Sequence, residues 1–418
     1  MCRLLMALVL VGLSTAPAIA ESRPRSLTLH EAIARVQSDG FDLRLARADA
    51  AMAAADARNS AAVLRPQLGL SATSLDANEA QLGMPIARQA YGSAALSLTI
   101  FTPSGNANAR AASETSRAAQ SAVATATDDA VFAVSVAYRR VQLADAVVQS
   151  RAVTVSDLAR HLIVRQERVA LGKSAKYQML RDRSALATAQ QAEEDARSER
   201  DQAASDLAVL LDLKQEPLAV EALVPSVLEG TRDALLARAL RSRPSVLAAQ
   251  ERVEAARALL AAARAAYSPT AVLTAQTYNG SSAPALGRSG GQVQVTASLP
   301  IVDGGSRSAL TARSNAQLDR AIAVRDRTLA EVARDVANAF REYEAASRNL
   351  SSANAAVVDA QEQLRLARLR EAAGKATDVE VFDAESLAAI ARESTARSLA
   401  RYDLAIASIY HSVGGNLP

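Results

Sequence analysis

Two stretches of the chain place apolar residues at every second position, the period of a strand with one apolar face. The apolar positions are Ala94, Leu96, Leu98 and Ile100 in the first stretch and Val293, Val295, Ala297, Leu299 and Ile301 in the second. Each stretch is soon followed by a long run rich in Ala, Arg and Gln, residues that favour helix. The pattern therefore predicts, twice, a short strand that leads directly into a long helix.

Another alternating stretch precedes each of these strands. Its apolar residues are Leu68, Leu70 and Ala72 in one case and Ala271, Leu273 and Ala275 in the other. Polar loops that contain Gly, over 76–89 and 278–290, join the members of each pair. The predicted strands span about 67–75, 94–101, 270–277 and 292–302.

Apolar residues recur every seventh position along the two long segments. They are Val134, Val141, Val148, Val155, Leu162 and Val169 in the first and Val336, Tyr343, Leu350, Val357 and Leu364 in the second. A sustained repeat of seven forces left-handed supercoiling around a neighbouring helix. A helix from Ser104 to Leu171 would be roughly 100 Å long. Because no compact domain needs that length, we expect it to pair with the helix that returns after Gly172.

The chain repeats itself with a period near 202 residues. The stretch "RVALGKSAKY" is echoed by "REAAGKATDV", so that Gly172 and Lys173 match Gly374 and Lys375. Solenoid repeats are much shorter, which indicates duplication of a whole half with the plan helix, strand, strand, long helix, helix. The first helices are predicted over about 28–64 and 232–266. The predicted organisation is a first repeat over 21–213, a linker or equatorial segment over 214–231 and a second repeat over 232–418.

The N-terminus is typical of a secretory signal peptide. Arg3 precedes the apolar run Leu4–Leu13, and Ala18-Ile19-Ala20 forms a cleavage signal, so residues 1–20 are expected to be removed on export. The only cysteine, Cys2, lies inside this segment and is not placed for lipid attachment. The mature chain is therefore expected to have no disulfide and no thiolate metal site. No later apolar run is long enough for a transmembrane helix.

Composition and charge exclude several classes of function. The chain has no Trp and only 3% aromatic residues, which suits thin helices packed side by side better than a thick core. A formal charge of +3 without a basic cluster gives nucleic-acid binding little support. His30, His161 and His411 are dispersed and lack metal-ligand spacing. Without a nucleophile elbow or a Walker loop, we predict a protein that is not an enzyme and uses no metal or cofactor.

The four predicted strands have two interpretations. Four strands cannot close a barrel within one chain, and in a bilayer only closure satisfies the backbone groups of the edges. Several chains would then have to contribute to one transmembrane barrel. The alternative is a small soluble sheet that caps a helical bundle, and period and length alone leave both open.

Several motifs, taken in order, match one known family. They are "SLTLHEAIARV" after the signal, the strand entries at Pro66 and Pro269, "LPIVDGGSRSAL" and "AGKATDVEVFDAES" at Ala373–Ser386. The chain resembles the TolC-like outer-membrane efflux proteins over essentially its whole mature length. The resemblance implies a mainly α fold with a small transmembrane β part. It also implies a homotrimer, whose twelve-stranded β-barrel continues into a long α-helical coiled-coil tunnel.

The same resemblance implies a passive channel of a tripartite efflux or type I secretion system. Such a channel would lie in the lipid of the cell outer membrane and extend into the periplasm. Its partners would be a periplasmic adaptor (membrane fusion) protein and an inner-membrane transporter of the resistance-nodulation-division, ABC or major-facilitator type. The transporter selects the cargo, so the sequence does not indicate it.

Two acidic residues are candidates for a gate. Glu380 and Asp383 are three positions apart and share one helical face. The resemblance matches them to the acidic rings at the closed end of the tunnel, where a trimer would bring six carboxylates together. The alternative is an ordinary solvated acidic face.

Two glycine-containing turns are candidates for partner docking. Gly172 and Gly374 stand where each long helix must reverse, a position that favours positive φ. By resemblance, these turns, with Lys173, Lys375 and Thr377, dock the adaptor. The alternative is that the glycines are only helix caps, and both roles can hold together. The first copy departs from the family pattern, because it has Lys176-Tyr177-Gln178 where Thr-Asp-Val-like residues are usual. Asp303, Gly304 and Gly305 are predicted to form the turn that leaves the barrel.

Two other functions are weighed against the channel. The first is a periplasmic structural coiled coil or a lipid-surface helical protein without channel activity. A protein of this kind would not require four alternating strands at duplicated positions. The second is a soluble periplasmic binding protein, which would need a concave pocket for which the composition offers little.

Overall fold

A computed structural model describes residues 26–77, 87–214, 218–219, 225–280 and 289–415. The predicted signal peptide and parts of both predicted loops and of the linker lie outside these residues. In chain order the elements are β1 (Ser26–Leu27), α1 (Leu29–Asp39), α2 (Phe41–Ala62), β2 (Gln67–Ala77), β3 (Ala87–Phe101), α3 (Pro103–Ala170), α4 (Lys176–Leu210), β4 (Leu218–Ala219), α5 (Arg232–Ser242), α6 (Pro244–Ala265), β5 (Thr270–Gly280), β6 (Ser289–Ser298), α7 (Ser306–Ala372) and α8 (Asp378–Val413). None of the described helices combines the length and apolar character that crossing a bilayer requires.

The four long strands form one antiparallel sheet in the order β2-β3-β5-β6. The two repeats meet at its centre, where β3 pairs with β5 and Leu96 lies opposite Ala275. Strand β2 continues to Ala77 and β3 begins at Ala87, so the first predicted loop is too long at both ends. The second predicted loop is too long at both ends as well, because β5 continues to Gly280 and β6 begins at Ser289. Strand β6 ends at Ser298 and not at the predicted residue 302. Pro300 explains the early end, because proline has no N–H for the ladder.

Both repeats break the helix that was predicted to be continuous before the first strand. In the first repeat Gly40 (φ −54°, ψ 136°) separates α1 from α2, and a Cβ there would lie 2.6 Å from the Val36 carbonyl oxygen. In the second repeat Arg243 is extended (φ −62°, ψ 130°) before Pro244. A residue before proline avoids the helical region, and proline cannot donate the next helical bond. The predicted single helices over 28–64 and 232–266 are therefore wrong.

The long helices form two hairpins that lie side by side. Helix α3 has 68 residues and α7 has 67, so each is roughly 100 Å long. Helix α4 returns along α3, and α8 returns along α7, while α3 also packs against α8. We call the turns at Gly172 and Gly374 the tips of the hairpins. Towards the tips the helices are therefore arranged in the order α4-α3-α8-α7.

A line of small residues, which we call the alanine seam, forms the face of α7 that contacts α8. Four buried residues seven positions apart are alanines: Ala339, Ala346, Ala353 and Ala360. They alternate with the predicted line that includes Val336 and Leu364, which are also buried. Small side chains let α8 come close, and the Thr395 hydroxyl of α8 donates to the Ala353 carbonyl oxygen at 3.1 Å. The two lines together are the a and d positions of a coiled coil.

The larger apolar clusters lie beside the short helices, away from the tips. In the first repeat Tyr138, Val141 and Leu207 are fully buried, and the Tyr138 hydroxyl donates to the Leu27 carbonyl oxygen at 3.0 Å. In the second repeat, the cluster includes Val332 and Ile409. These clusters fix the hairpins at one end and leave the tips with thinner packing.

We expect Ala353→Leu to destabilise the protein, because a larger side chain cannot fit where α8 hydrogen-bonds to the backbone of α7. Overpacking of this kind typically costs about 1–3 kcal/mol. The apparent melting temperature, followed by circular dichroism in detergent, should fall. Ala355→Leu is the control, since Ala355 is exposed on the same helix. An equal fall in both variants would contradict the assignment of the seam.

Candidate functional site

The first tip is the turn between α3 and α4. Gly172 adopts φ 71°, and Lys173 N–H donates to the Arg168 carbonyl at 2.8 Å while Gly172 N–H donates to the Val169 carbonyl at 3.0 Å. These two bonds are those of a Schellman motif, which caps the last carbonyls of a helix. A Cβ on Gly172 would meet no atom within 4 Å. Glycine is therefore favoured here by the positive φ and not by crowding.

The second tip repeats this geometry between α7 and α8. Gly374 adopts φ 69°, Lys375 N–H donates to the Arg370 carbonyl at 2.8 Å, and Gly374 N–H donates to the Glu371 carbonyl at 2.8 Å. Lys375 is exposed, as is Lys173 at the first tip. Each hairpin thus ends in a well-capped turn with one exposed ammonium group beside the glycine.

Helix α8 begins with a capping box made by Thr377 and Glu380. Glu380 N–H donates to Thr377 Oγ1 at 3.3 Å, and Thr377 N–H donates to Glu380 Oε1 at 3.4 Å. Glu380 Oε2 also lies 3.2 Å from Nη1 of Arg370, on the helix that enters the turn. The side chain of Glu380 therefore caps the helix and already has a positive neighbour.

Asp383 lies three positions further along α8. It is exposed, and among the described residues no ion pair to Asp383 is formed. The spacing puts it on the face of α8 that carries Glu380. Of the two candidate gate residues, Asp383 therefore presents the less compensated charge within one chain.

The first tip is closed by different side chains. Its helix cap, Ala175, provides no side-chain hydrogen bond to α4. Instead Arg165 Nε donates to Asp182 Oδ2 at 2.9 Å, and the two side chains are only 11% and 13% exposed. Ser174 Oγ donates to Gln178 Oε1 at 2.6 Å. These contacts close a turn that lacks the Thr-Asp-Val-like pattern.

Sequence reasoning missed the ion pair between Arg165 and Asp182 because the residues are 17 positions apart and lie on different helices. One signal was available. Opposite charges that flank a predicted hairpin turn at similar distances can face each other across the hairpin. The second repeat has Ala367 and Ala384 at the corresponding positions, so the repeat itself gave no indication of the pair.

The residues Asp303, Gly304 and Gly305 form a tight turn between β6 and α7. Gly304 and Gly305 have φ 65° and 88°, and Asp303 Oδ2 accepts from the backbone N–H of Arg307 at 2.9 Å and from its Nε at 2.7 Å. These hydrogen bonds from Arg307, the side-chain bond first, hold the pKa of the Asp303 carboxyl below its usual range. The Arg307 guanidinium also stacks 4.6 Å above the Tyr267 ring. The turn thus fixes the direction in which α7 leaves the sheet.

The described residues contain no cluster of three or more His, Cys, Asp or Glu side chains that could hold a metal ion. The structure brings Thr377 and Glu380 into contact, with Asp383 on the same helix. It keeps Lys173 and Lys375 at two separate tips, and it puts the turn at Asp303 at the other end of α7.

Comparison with solved structures identifies the fold. The chain is similar to the outer membrane protein VceC of Vibrio cholerae (21% identity, TM-score 0.77), with 93% of this chain and 96% of that chain covered. It is also similar to the open state of the MtrE outer membrane channel of Neisseria gonorrhoeae (19% identity, TM-score 0.80), with 93% of this chain and 89% of that chain covered. A third similar structure is the CmeC outer membrane channel of Campylobacter jejuni (17% identity, TM-score 0.81), with 93% of this chain and 85% of that chain covered. This likeness confirms the predicted mainly α fold with a small β part.

No curated protein sequence matches the chain significantly. The family model described as outer membrane efflux protein matches it twice, over residues 32–212 and 235–415. The two matches correspond to the two structural halves and together span most of the sequence. The resemblance seen in the motifs is thereby confirmed, and the chain belongs to the outer membrane efflux protein family.

Proposed function

We propose that three copies of the chain form a passive outer-membrane channel. The observation that carries this proposal is the four-stranded sheet, whose outer strands β2 and β6 each pair on one side only among the described residues. Large apolar side chains stand exposed on these strands, with Leu70 at 81% and Val293 at 74%. In a bilayer each unsatisfied backbone group costs several kcal/mol, so open edges must be closed. Three sheets joined from β6 to β2 give a closed barrel of twelve strands.

The helices support the same assembly. The helical layer of one chain ends in α4 on one side and α7 on the other. Exposed apolar residues lie on both, including Tyr177 and Leu180 on α4 and Leu366 and Leu369 on α7. Packing the α4 edge of one copy against the α7 edge of the next buries these residues. It also closes the helices into a tube that continues the barrel.

The channel works with other proteins of the cell envelope. A periplasmic adaptor binds the capped tips at Gly172, Lys173, Gly374, Lys375 and Thr377. An inner-membrane transporter of the resistance-nodulation-division, ABC or major-facilitator type supplies the energy and selects the cargo. The chain itself catalyses no reaction, and the predicted signal peptide directs its export.

Glu380 and Asp383 form the gate. In a threefold tube the α8 helices bring three copies of each carboxylate towards the narrow end. Arg370 already compensates part of the charge of Glu380, so Asp383 contributes most of the field that attracts cations.

The barrel predicts opposite effects for two adjacent residues of β6. Val295→Arg puts a charge on the lipid face, which costs roughly 2–4 kcal/mol at the bilayer midplane. Gln294→Arg faces the lumen and should be tolerated. Trimer yield in detergent, measured by light scattering after size exclusion, should fall for Val295→Arg alone. A soluble, monomeric wild-type protein, or equal tolerance of both variants, would refute the barrel.

The gate predicts a change in ion selectivity. The double variant Glu380→Gln with Asp383→Asn should lower cation preference and weaken block by multivalent cations in planar-bilayer recordings. Gln at position 380 can keep the capping box, so the helix start is preserved. Asp383→Asn alone should give most of the effect. Asp319→Asn, at an exposed position of α7 about 80 Å from the turn at Gly374, is the control, because its charge is screened within about 8–10 Å. An unchanged reversal potential in the double variant would show that both residues belong to an ordinary solvated acidic face and not to a gate.

The tip predicts a conformational requirement at Gly374. Gly374→Val forces a β-branched residue into the left-handed region at a cost of roughly 1–2 kcal/mol, so adaptor binding should weaken while the trimer still assembles. Gly374→Asn is the matched control, since Asn tolerates this conformation. Binding of the purified adaptor to each variant, measured by surface plasmon resonance, tests the site. Equal binding by both variants would show that the turn geometry does not matter for docking.

A further inference from the structure

The contact between α3 and α8 carries four pairs of a basic and an acidic side chain in antiparallel register. Each step forward along α3 is matched by a step back along α8. The pairs are Asp129 with His411 (2.7 Å), Arg139 with Asp403 (3.5 Å), Arg151 with Glu393 (2.8 Å) and His161 with Glu385 (2.8 Å). We call this series the α3–α8 ladder. It joins the first hairpin to the second, and histidine occupies both of its ends.

The pair nearest the tips is His161 with Glu385. His161 lies eleven positions before Gly172 and Glu385 eleven positions after Gly374, so both are about 16 Å from the turns. Their side chains are 32% and 12% exposed. Arg368 Nη2 of α7 donates to the other Glu385 oxygen at 2.8 Å. Glu385 is therefore held within its own hairpin, and its bond to His161 crosses to the other hairpin.

Charged groups from every neighbouring helix surround His161. They are Asp157, Arg160, Arg165 and Arg168 on α3, Asp182 on α4 (bonded to Arg165), Arg368 and Glu371 on α7 and Glu385 on α8. Arg160 is paired with Asp157. All of these side chains except that of Asp182 line an open cavity of about 400 Å³ between the two hairpins. Of all these groups, imidazole is the one whose unperturbed charge changes near neutral pH.

We propose that His161 and Glu385 form a proton-dependent latch that holds the second hairpin against the first. When His161 is protonated, a charge-assisted bond joins α3 to α8 close to the tips. When it is neutral, that bond weakens and the lower part of α7 and α8 separates more easily from α3. The latch itself rests on the geometry of one chain. Its consequence for opening rests on the proposed channel function.

The electrostatics support a latch that holds when His161 is protonated and weakens when it is neutral. The hydrogen bond to Glu385 raises the pKa of His161, against the opposing effect of partial burial, and Glu371 and Asp157 add to the rise. For Glu385, burial alone would raise the pKa, but the bonds from His161 and Arg368 outweigh it and lower the pKa of the carboxyl. A group whose pKa is raised in the latched state stabilises that state fully below its unlatched pKa. This stabilisation is lost as the pH rises through the latched pKa.

Two variants at one position separate the charge states of the latch. His161→Arg keeps a positive charge at every pH used, and His161→Gln is never charged. His411→Gln is the matched control, because it removes the histidine from the opposite end of the ladder. We expect the wild type to open as the pH rises from about 5.5 to about 8.5, across the ordinary imidazole pKa of roughly 6.5. Each unit between the latched and unlatched pKa of His161 contributes about a tenfold change in the population ratio. The Gln variant should be open, and the Arg variant latched, at both pH values.

The separation of the hairpins can be measured directly. With Cys2 inside the predicted signal, spin labels can be attached to cysteines introduced at Ile163 of α3 and Leu387 of α8, both exposed. Pulsed electron paramagnetic resonance of the full trimer should show a short-distance population that shrinks with rising pH in the wild type and in His411→Gln. In His161→Gln and His161→Arg the distribution should not change with pH.

Planar-bilayer recordings of the same proteins distinguish the latch from the channel. A distance that changes with pH in a protein that conducts no current would support the latch and refute the proposed channel. A conducting trimer whose distances have the same pH dependence in the wild type and in His161→Gln would overturn the latch and leave the channel intact.

Discussion

The close approach of very long helices along small side chains is the constraint on which the rest of the structure depends. Helices of roughly 100 Å cannot be stabilised by one compact core, so each must find a neighbour along its whole length. The buried alanines from Ala339 to Ala360 let α8 approach α7 closely enough for Thr395 to reach the backbone of α7. This explains a chain rich in Ala and without Trp. It also leaves the large apolar clusters, around Tyr138 and Val336, at the end of the hairpins away from the tips.

An alanine seam packs closely but has little shape with which to specify register. Sliding one helix by a turn past the other would replace one small side chain by another at little cost in packing. The turn at Gly374 fixes the register of α7 against α8. Between the hairpins, register comes from polar contacts, because a pair such as Arg139 and Asp403, with Asp403 almost fully buried, is matched at one register only. Burial raises the pKa of the Asp403 carboxyl, and a misplaced carboxylate there would lose its cation and its bond from Ser226 N–H. The α3–α8 ladder therefore determines how the two hairpins align.

The period of the apolar residues was enough to predict the strands and the long helices, and motifs echoed about 202 residues apart predicted the duplication. What it could not predict depends on single residues or on pairs far apart in sequence. Gly40 and Pro244 break helices whose composition is helical on both sides. The seam alanines are indistinguishable from the many other alanines until a partner helix is known. At the tips, positive φ at Gly172 and Gly374 could be expected from their place in the repeat, whereas the pair of Arg165 with Asp182 has no counterpart in the second repeat and was indicated only by the opposite charges that flank the turn.

Duplication produced two tips with one backbone geometry and different means of closure. At the first tip a largely buried ion pair, Arg165 with Asp182, crosses the hairpin, and breaking a pair of this kind leaves a charge without its partner. At the second tip the corresponding residues are Ala367 and Ala384, and the ion pair that crosses the turn, Arg370 with Glu380, is exposed on both sides. An exposed pair contributes only about 0–1 kcal/mol, so the second hairpin depends more on its contact with α3. A small change in free energy at that contact can therefore move the second tip while the first stays closed, and the second tip carries Glu380 and Asp383.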